Sequence, residues 1–241
     1  MDKFLTYEEI QDRMMELQDK YEIDEDHFYG IVEHWANAEI SIENKILASF
    51  QGLLQVVSEQ ITQMEKAVDI EATCRMGCAF CCYFPIIVNE MEAKLMKKAI
   101  EQFPADRRTA IERHLADYYE KQEPVIKQLT SLERDTDGEF KNEYRKRFLP
   151  CPLLDTKTNQ CMAYEVRPIP CRTYVNYTNP DVCADNLMPK ETVSFEFLYE
   201  QYMGALNEFM QFLYEEEGDT AFITYPDDLY REDYLVNWFR R

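Results

Sequence analysis

The chain has 241 residues, 46% of them hydrophobic and 30% charged, which fits one globular domain or two small ones and excludes a disordered or collagen-like polymer. Lys and Arg total 26 against 46 Asp and Glu, a formal charge of -20, so the chain as a whole repels phosphates, and neither nucleic acid nor an anionic membrane is expected as a partner. The longest apolar runs, such as Phe84 to Val88, fall far short of the roughly 20 residues that span a bilayer. The opening Met1-Asp2-Lys3-Phe4 lacks the basic and apolar regions of a secretory signal, so the expected compartment is the cytoplasm.

The stretch ahead of the first cysteine reads as helix. Thr6-Tyr7-Glu8-Glu9 has the capping-box pattern, a hydroxyl for an orphan amide and a carboxylate three residues on, and Ile10, Met14 and Leu17 then share one face. Phe28, Ile31, Val32 and Trp35 mark a second helix. Ile46, Leu47, Phe50, Leu53, Leu54, Val57, Ile61, Met64 and Val68 trace a longer third, whose stripe has to be buried as core. Tyr83 to Val88 is apolar and, through Pro85, extended by preference, so a small sheet is expected near Ile86. Asn89-Glu90-Met91-Glu92 is another cap signature and opens a helix carrying Leu95, Met96, Ala99 and Ile100 as far as Pro104. Ile111, Leu115 and Tyr118 form the next stripe, Pro124 is expected to start a separate helix around Val125, Ile126 and Leu129, and Asp135-Thr136-Asp137-Gly138 reads as a turn. From Pro150 to Pro189 the texture is loop-rich with little periodicity, after which Phe195, Leu198, Tyr202, Leu206, Phe209, Phe212 and Leu213 restore a helix. The six glycines form no phosphate-cradling loop or dinucleotide fingerprint, so nucleotide binding has no support.

Cysteine is the informative residue. All eight lie between Cys74 and Cys183, a confinement that ordinary core packing does not produce. A core of this size does not need four disulfides and a reducing compartment does not maintain them, which makes metal the first expectation. In the first group, Cys74, Cys78, Cys81 and Cys82, short separations let thiolates wrap one ion or cluster, and Gly77 lets backbone come close to it. Cys82 directly follows Cys81, and adjacent side chains project in different directions, so a shared or second site is expected there. The second group, Cys151, Cys161, Cys171 and Cys183, has no knuckle spacing, yet a long loop segment needs the anchor that metal-bound thiols supply.

From Lys141 to Cys183 seven basic residues face four acidic ones, against the sign of the whole chain. An ion held by four thiolates keeps net negative charge, and Arg167 and Arg172, stiffened by the intervening prolines, are expected to donate to sulfur around it. His27, His34 and His114 lie outside both groups and read as surface or packing residues, leaving an all-sulfur site. No Ser, His and Asp set stands out, and the carboxylates read as solvated helix faces.

Cys74-x3-Cys78-x2-Cys81-Cys82, then Cys151-Pro152-Leu153-Leu154, then Cys161-x2-Tyr164-Glu165-x-Arg167-Pro168-x2-Cys171-Arg172-x-Tyr174 resembles the YkgJ-type cysteine-cluster family, described as zinc- or iron-chelating. The resemblance covers Cys74 to Cys183, nearly half of the chain, and departs from the family's C-x2-C-x2-C-C motif by one extra residue in the first gap. Related domains occur in flagellin lysine methylases, so the resemblance also implies an iron-sulfur enzyme as an alternative, although no methylase substrate site maps onto residues here. Cys74-x3-Cys78-x2-Cys81, with aromatic Phe80, is also the spacing of radical S-adenosylmethionine enzymes. Those resemble partial barrels of alternating strand and helix, whereas here a long helix precedes the motif, few strands and glycines follow, and Cys82 and the second quartet go unexplained.

Sulfur-only ligation suits zinc or an iron-sulfur cluster and disfavours magnesium, calcium and manganese. The expected function is a metal-binding protein holding zinc or iron through its two cysteine groups, in a structural or metal-handling role. An iron-sulfur enzyme is the alternative, and a redox sensor titrated at Cys81 and Cys82 is a third reading. The residues present ligands without a recognisable substrate apparatus, so catalysis is left open. The expected architecture is mainly α, with helices around a loop-rich, cysteine-anchored metal centre: an N-terminal helical extension over 1–40, a cysteine-cluster core over 41–190, and a C-terminal helical segment over 191–241 packed on that core.

Overall fold

The computed structural model describes residues 4–75, 77–132 and 139–240. It is mainly helical, with α1 (Tyr7–Lys20), α2 (Glu25–Ala36), α3 (Ile42–Ala67), β1 (Ile87–Asn89), α4 (Glu90–Glu101), α5 (Ala105–Leu129), α6 (Glu139–Lys146), β2 (Leu154–Asp155), β3 (Gln160–Cys161), α7 (Pro170–Thr173), β4 (Tyr174–Asn176), α8 (Asp181–Asp185), β5 (Thr192–Ser194), α9 (Leu198–Phe212), α10 (Asp227–Tyr230), β6 (Glu232–Tyr234) and α11 (Leu235–Trp238). Strands pair as two-stranded antiparallel ladders, β1 with β6, β2 with β3 and β4 with β5. Among the described residues there is no larger sheet, and hence nothing of the barrel that the radical-enzyme spacing evokes. No helix there is long and apolar enough to cross a membrane.

The chain forms two compact units that interleave in sequence. The first comprises Met1–Arg75, Pro168–Val182 and Lys190–Pro226; the second comprises Met76–Arg167, Cys183–Pro189 and Asp227–Arg241.

In the first unit, α2, α3 and α9 pack on one another in all three pairings, burying Phe28, Phe50, Leu53, Leu54, Tyr202 and Leu206. These are residues of the apolar stripes seen in the sequence, and burying each such side chain contributes about 1.5–3 kcal/mol. The close approach of α2 to α3 depends on Gly52, where an added Cβ would meet Ile31 Cγ2 at 2.7 Å. Thr6 closes its capping box, accepting from the Glu9 amide at 3.2 Å while Glu9 accepts from the Thr6 amide at 2.8 Å. Glu65, near the end of α3, accepts from the Tyr177 hydroxyl at 2.9 Å. Burial lifts the Glu65 carboxyl above its usual range; the Tyr177 hydrogen bond opposes this and Glu71 adds to it.

A carboxyl whose pKa is raised by folding contributes stability that is fully present below its unfolded pKa and lost as pH rises through its folded one. Glu65→Gln keeps an acceptor for Tyr177 and removes the titration. The variant should therefore show a shallower fall in melting temperature as pH climbs out of the ordinary carboxylate range. Parallel profiles for the two proteins would contradict this account.

The second unit is built around a core of Tyr118, Ile126, Leu129, Phe140, Tyr144, Leu149, Tyr234 and Val236. The extended stretch expected near Ile86 is β1, paired with β6 in the register Ile87↔Tyr234. The Trp238 indole donates to Val88 O at 3.0 Å, and the Tyr144 and Tyr234 rings stack with centroids 5.9 Å apart. Asn89 caps α4 through a second capping box, accepting from the Glu92 amide at 2.8 Å.

One boundary differs from expectation. Pro124 does not open a new helix, because α5 runs through it from Ala105 to Leu129. A proline inside a helix removes one backbone donor and crowds the preceding turn, but here Tyr118, Ile126 and Leu129 on either side are all buried in the same core, and that shared face holds the helix together. The turn expected at Asp135 to Gly138 lies outside the described residues.

Candidate metal centre

None of the eight cysteines is disulfide-bonded. Cys74 and Cys171 belong to the first unit, and Cys78, Cys81, Cys82, Cys151, Cys161 and Cys183 to the second.

In the second unit the first cysteine loop opens at Gly77, whose φ of +90° favours glycine, while a Cβ built there would meet nothing within 4 Å. Glycine is thus required for backbone sign rather than for clearance from neighbouring protein atoms. The chain then winds into a 3₁₀ turn over Phe80–Tyr83, with the Cys82 amide donating to Ala79 O at 3.0 Å. Cys81 and Cys82 do not point apart as an extended chain would require: the Cys82 thiol donates to Cys81, because the tight turn replaces the alternation of a strand. That hydrogen bond, aided by the nearby Arg167 charge, draws the Cys81 thiol below the usual thiol range, against burial and the neighbouring Cys78.

The second cysteine loop is tied to the first through backbone. The Cys151 amide donates to Cys82 O at 2.7 Å, and the β2–β3 pairing of Leu154 with Cys161 brings the next cysteine alongside. Burial pushes the Cys151 thiol up to about 12, reinforced by charge on Cys161 and Cys81 and opposed by the Leu153 amide, which donates to its sulfur. Burial also raises the Cys161 thiol, opposed by the Ala163 amide and by the Arg167 and Arg107 charges.

Cationic side chains fix these loops. The Arg167 guanidinium lies over the Tyr164 ring at 3.9 Å, and its charge favours the thiolate of both Cys81 and Cys161. Arg107, on α5, donates to Met162 O at 2.7 Å and to Glu165 Oε2 at 2.6 Å, and stacks on Phe103 at 3.9 Å. Arg145, buried on α6, donates to Phe80 O at 3.1 Å and covers the Phe84 ring at 4.2 Å. The Tyr118 hydroxyl donates to Pro150 O at 2.6 Å, next to Cys151. In the sequence Arg107 carried no signal, Arg145 was only one of the bases in the run from Lys141, and Tyr118 read only as part of an apolar stripe.

In the first unit, Cys74 is exposed and its sulfur accepts from the Asn176 amide at 3.3 Å. Thr73 joins the same contact, its amide donating to Asn176 O at 2.9 Å. Cys171 sits half-buried in α7. Arg172 follows it and donates to Ser58 Oγ on α3 at 2.9 Å. The histidines have packing or surface contacts: His27 lies 3.8 Å from Glu59, His34 packs edge-on against Trp35, and His114 lies against Tyr118.

Among the described residues no three His, Cys, Asp or Glu side chains are arranged to hold a metal ion, so the expected centre is not present as a finished ligand sphere. The structure instead brings Cys78, Cys81, Cys82, Cys151 and Cys161 into one electrostatic neighbourhood with Arg167. Amides that donate to sulfur, and a guanidinium charge nearby, contribute little to a neutral thiol and much to a thiolate. The donor set therefore fits a soft, thiolate-bound ion.

Residues 73–188, which include all eight cysteines, match the CxxCxxCC family, described as "Putative zinc- or iron-chelating domain". This is the cysteine-cluster family that the motifs resemble. No curated protein and no solved structure matches the chain.

Proposed function

We propose that the thiols of the second unit hold zinc or iron, making the chain a metal-binding protein with a structural or metal-handling role. The assigned ligands are drawn from Cys78, Cys81, Cys82, Cys151, Cys161 and Cys183, with Arg167 offsetting the charge that several thiolates leave on the ion. The observation carrying this reading is the meeting of the Cys81 and Cys82 turn with the Cys151 and Cys161 hairpin, where the Leu153 and Ala163 amides donate to sulfur. A closed sulfur site supplies structural or storage chemistry, and an iron-sulfur cluster would add electron exchange.

Anaerobic purification followed by elemental analysis and an absorption spectrum tests the proposal. Colourless protein with zinc, or coloured protein with iron, supports it and chooses the ion. Protein that carries neither after growth with both metals supplied, and takes up neither on reconstitution, overturns it.

A further inference from the structure

Resting on the metal reading above, with Cys161 as a ligand, we infer that Arg107 is a positioning residue for the site: by gripping the Met162 carbonyl it fixes the peptide whose amide donates to Cys161 Sγ. Two guanidinium nitrogens converge on that one oxygen, Nη2 at 2.7 Å and Nε at 3.2 Å. Glu165 accepts from the same group, Oε1 from Nη1 at 2.8 Å and Oε2 from Nη2 at 2.6 Å, and the Phe103 ring lies 3.9 Å from the guanidinium carbon. Carbonyl, carboxylate and ring together fix the plane of the fork. The Glu165 side chain is 59% exposed, and an exposed ion pair stabilises little by itself. What this one supplies is orientation of a cation aimed at main chain.

Met162 O and the Ala163 N–H are the two ends of one planar trans peptide and point in opposite directions. Gripping the oxygen therefore aims the amide, and that amide donates to Cys161 Sγ. A carbonyl that accepts from a cation also polarises its peptide, which makes the N–H at the other end a stronger donor. Metal-bound sulfur keeps negative charge and so gains more from such a donor than a neutral thiol does. The Met162 amide donates to Leu153 O at 2.8 Å, and the Leu153 amide donates to the Cys151 sulfur, so the gripped segment is continuous with both cysteine turns of the hairpin. The same device recurs about three turns further along α5. There the Tyr118 hydroxyl holds Pro150 O at 2.6 Å, and the amide at the other end of that peptide, on Cys151, donates to Cys82 O at 2.7 Å.

Two measurements on the full chain test this: zinc(II) affinity by competition with a chromophoric chelator, and residue-resolved amide hydrogen exchange with zinc supplied in excess. Arg107→Ala should weaken zinc binding about 10–100-fold, as loss of a group that orients a ligand does. It should also speed exchange of the Ala163 amide at least about tenfold while the neighbouring Met162 amide, held by Leu153 O, keeps its wild-type rate. Glu165→Gln separates grip from charge. Removing a negative charge beside Cys161 would by charge alone tighten zinc binding, whereas loosening the Arg107 fork should weaken it about threefold. Ala163 and Met162 amides that speed up together in Arg107→Ala would show a merely structural role and overturn the inference. Unchanged zinc affinity in Arg107→Ala, or affinity in Glu165→Gln equal to or tighter than wild type, would overturn it with the metal reading intact. Wild-type protein that takes up neither zinc nor iron defeats the metal reading, and the inference with it.

Discussion

Cys151→Ser protein is expected to lose its bound zinc or iron while keeping its helices. Cys151 is the hinge of the proposed centre: its amide holds Cys82 O, its sulfur receives the Leu153 amide, and the hairpin that follows places Cys161. Serine preserves the backbone bonds and nearly the side-chain size while exchanging a soft donor for a hard one. Removing groups that merely support a ligand costs about 10–100-fold in metal affinity, so loss of a ligand should cost more than about 100-fold. Metal content after dialysis against a weak chelator reads the affinity, and far-UV circular dichroism reads the fold. Retention of the wild-type metal content would remove Cys151 from the ligand set.

Asp228→Ala is the substitution expected to cost most in stability. Asp228 is fully buried, yet it is surrounded by charge: Lys94 approaches Oδ2 and Arg231 approaches Oδ1, each at 2.7 Å. Glu90 completes the group, 2.9 Å from Arg231 and 3.5 Å from Lys94. Removing one partner of a buried pair costs about 3–5 kcal/mol because the other charge is stranded. Here the Lys94 and Arg231 side chains are 29% and 55% exposed and can turn toward water, so the expected loss is about 2–3 kcal/mol. Urea unfolding of the two proteins measures it. Asp228→Asn, which keeps the shape and one acceptor, should fall between them. A loss near zero for Asp228→Ala would show that the network holds α10 to α4 without stabilising the unit.

Much of the helical framework was legible because its signals are local. The capping boxes at Thr6 and Asn89 need only four consecutive residues, and the α3 stripe repeats often enough to specify a buried face. Pro124 misled because a local breaker was weighed without the tertiary face that Tyr118, Ile126 and Leu129 share. Ladders of two or three residues, such as β2–β3 and β1–β6, are too short to show a period, so the interleaving of the units had no sequence signature. The cysteine pattern identified the thiols, but their partition between units depends on long-range chain reversal. The sequence marked Arg167 and Arg172 alike, and their contacts with Tyr164 and with Ser58 depend on long-range packing that no spacing records. Arg107 carried no spacing signal at all, and its part in fixing the Met162 carbonyl emerges only when α5 lies beside the hairpin.

The pairing of β1 with β6 joins strands separated by more than half of the chain. During synthesis, Ile87 leaves the ribosome long before Tyr234 exists, so the segment just after Cys82 must wait without its partner strand. For that interval the early sulfurs are carried on an unfinished scaffold, open to oxidants and to adventitious ions, and closing so long a loop is slow. For the proposed metal site timing therefore matters, and the strand Glu232–Tyr234 acts as the latch that ends the vulnerable period.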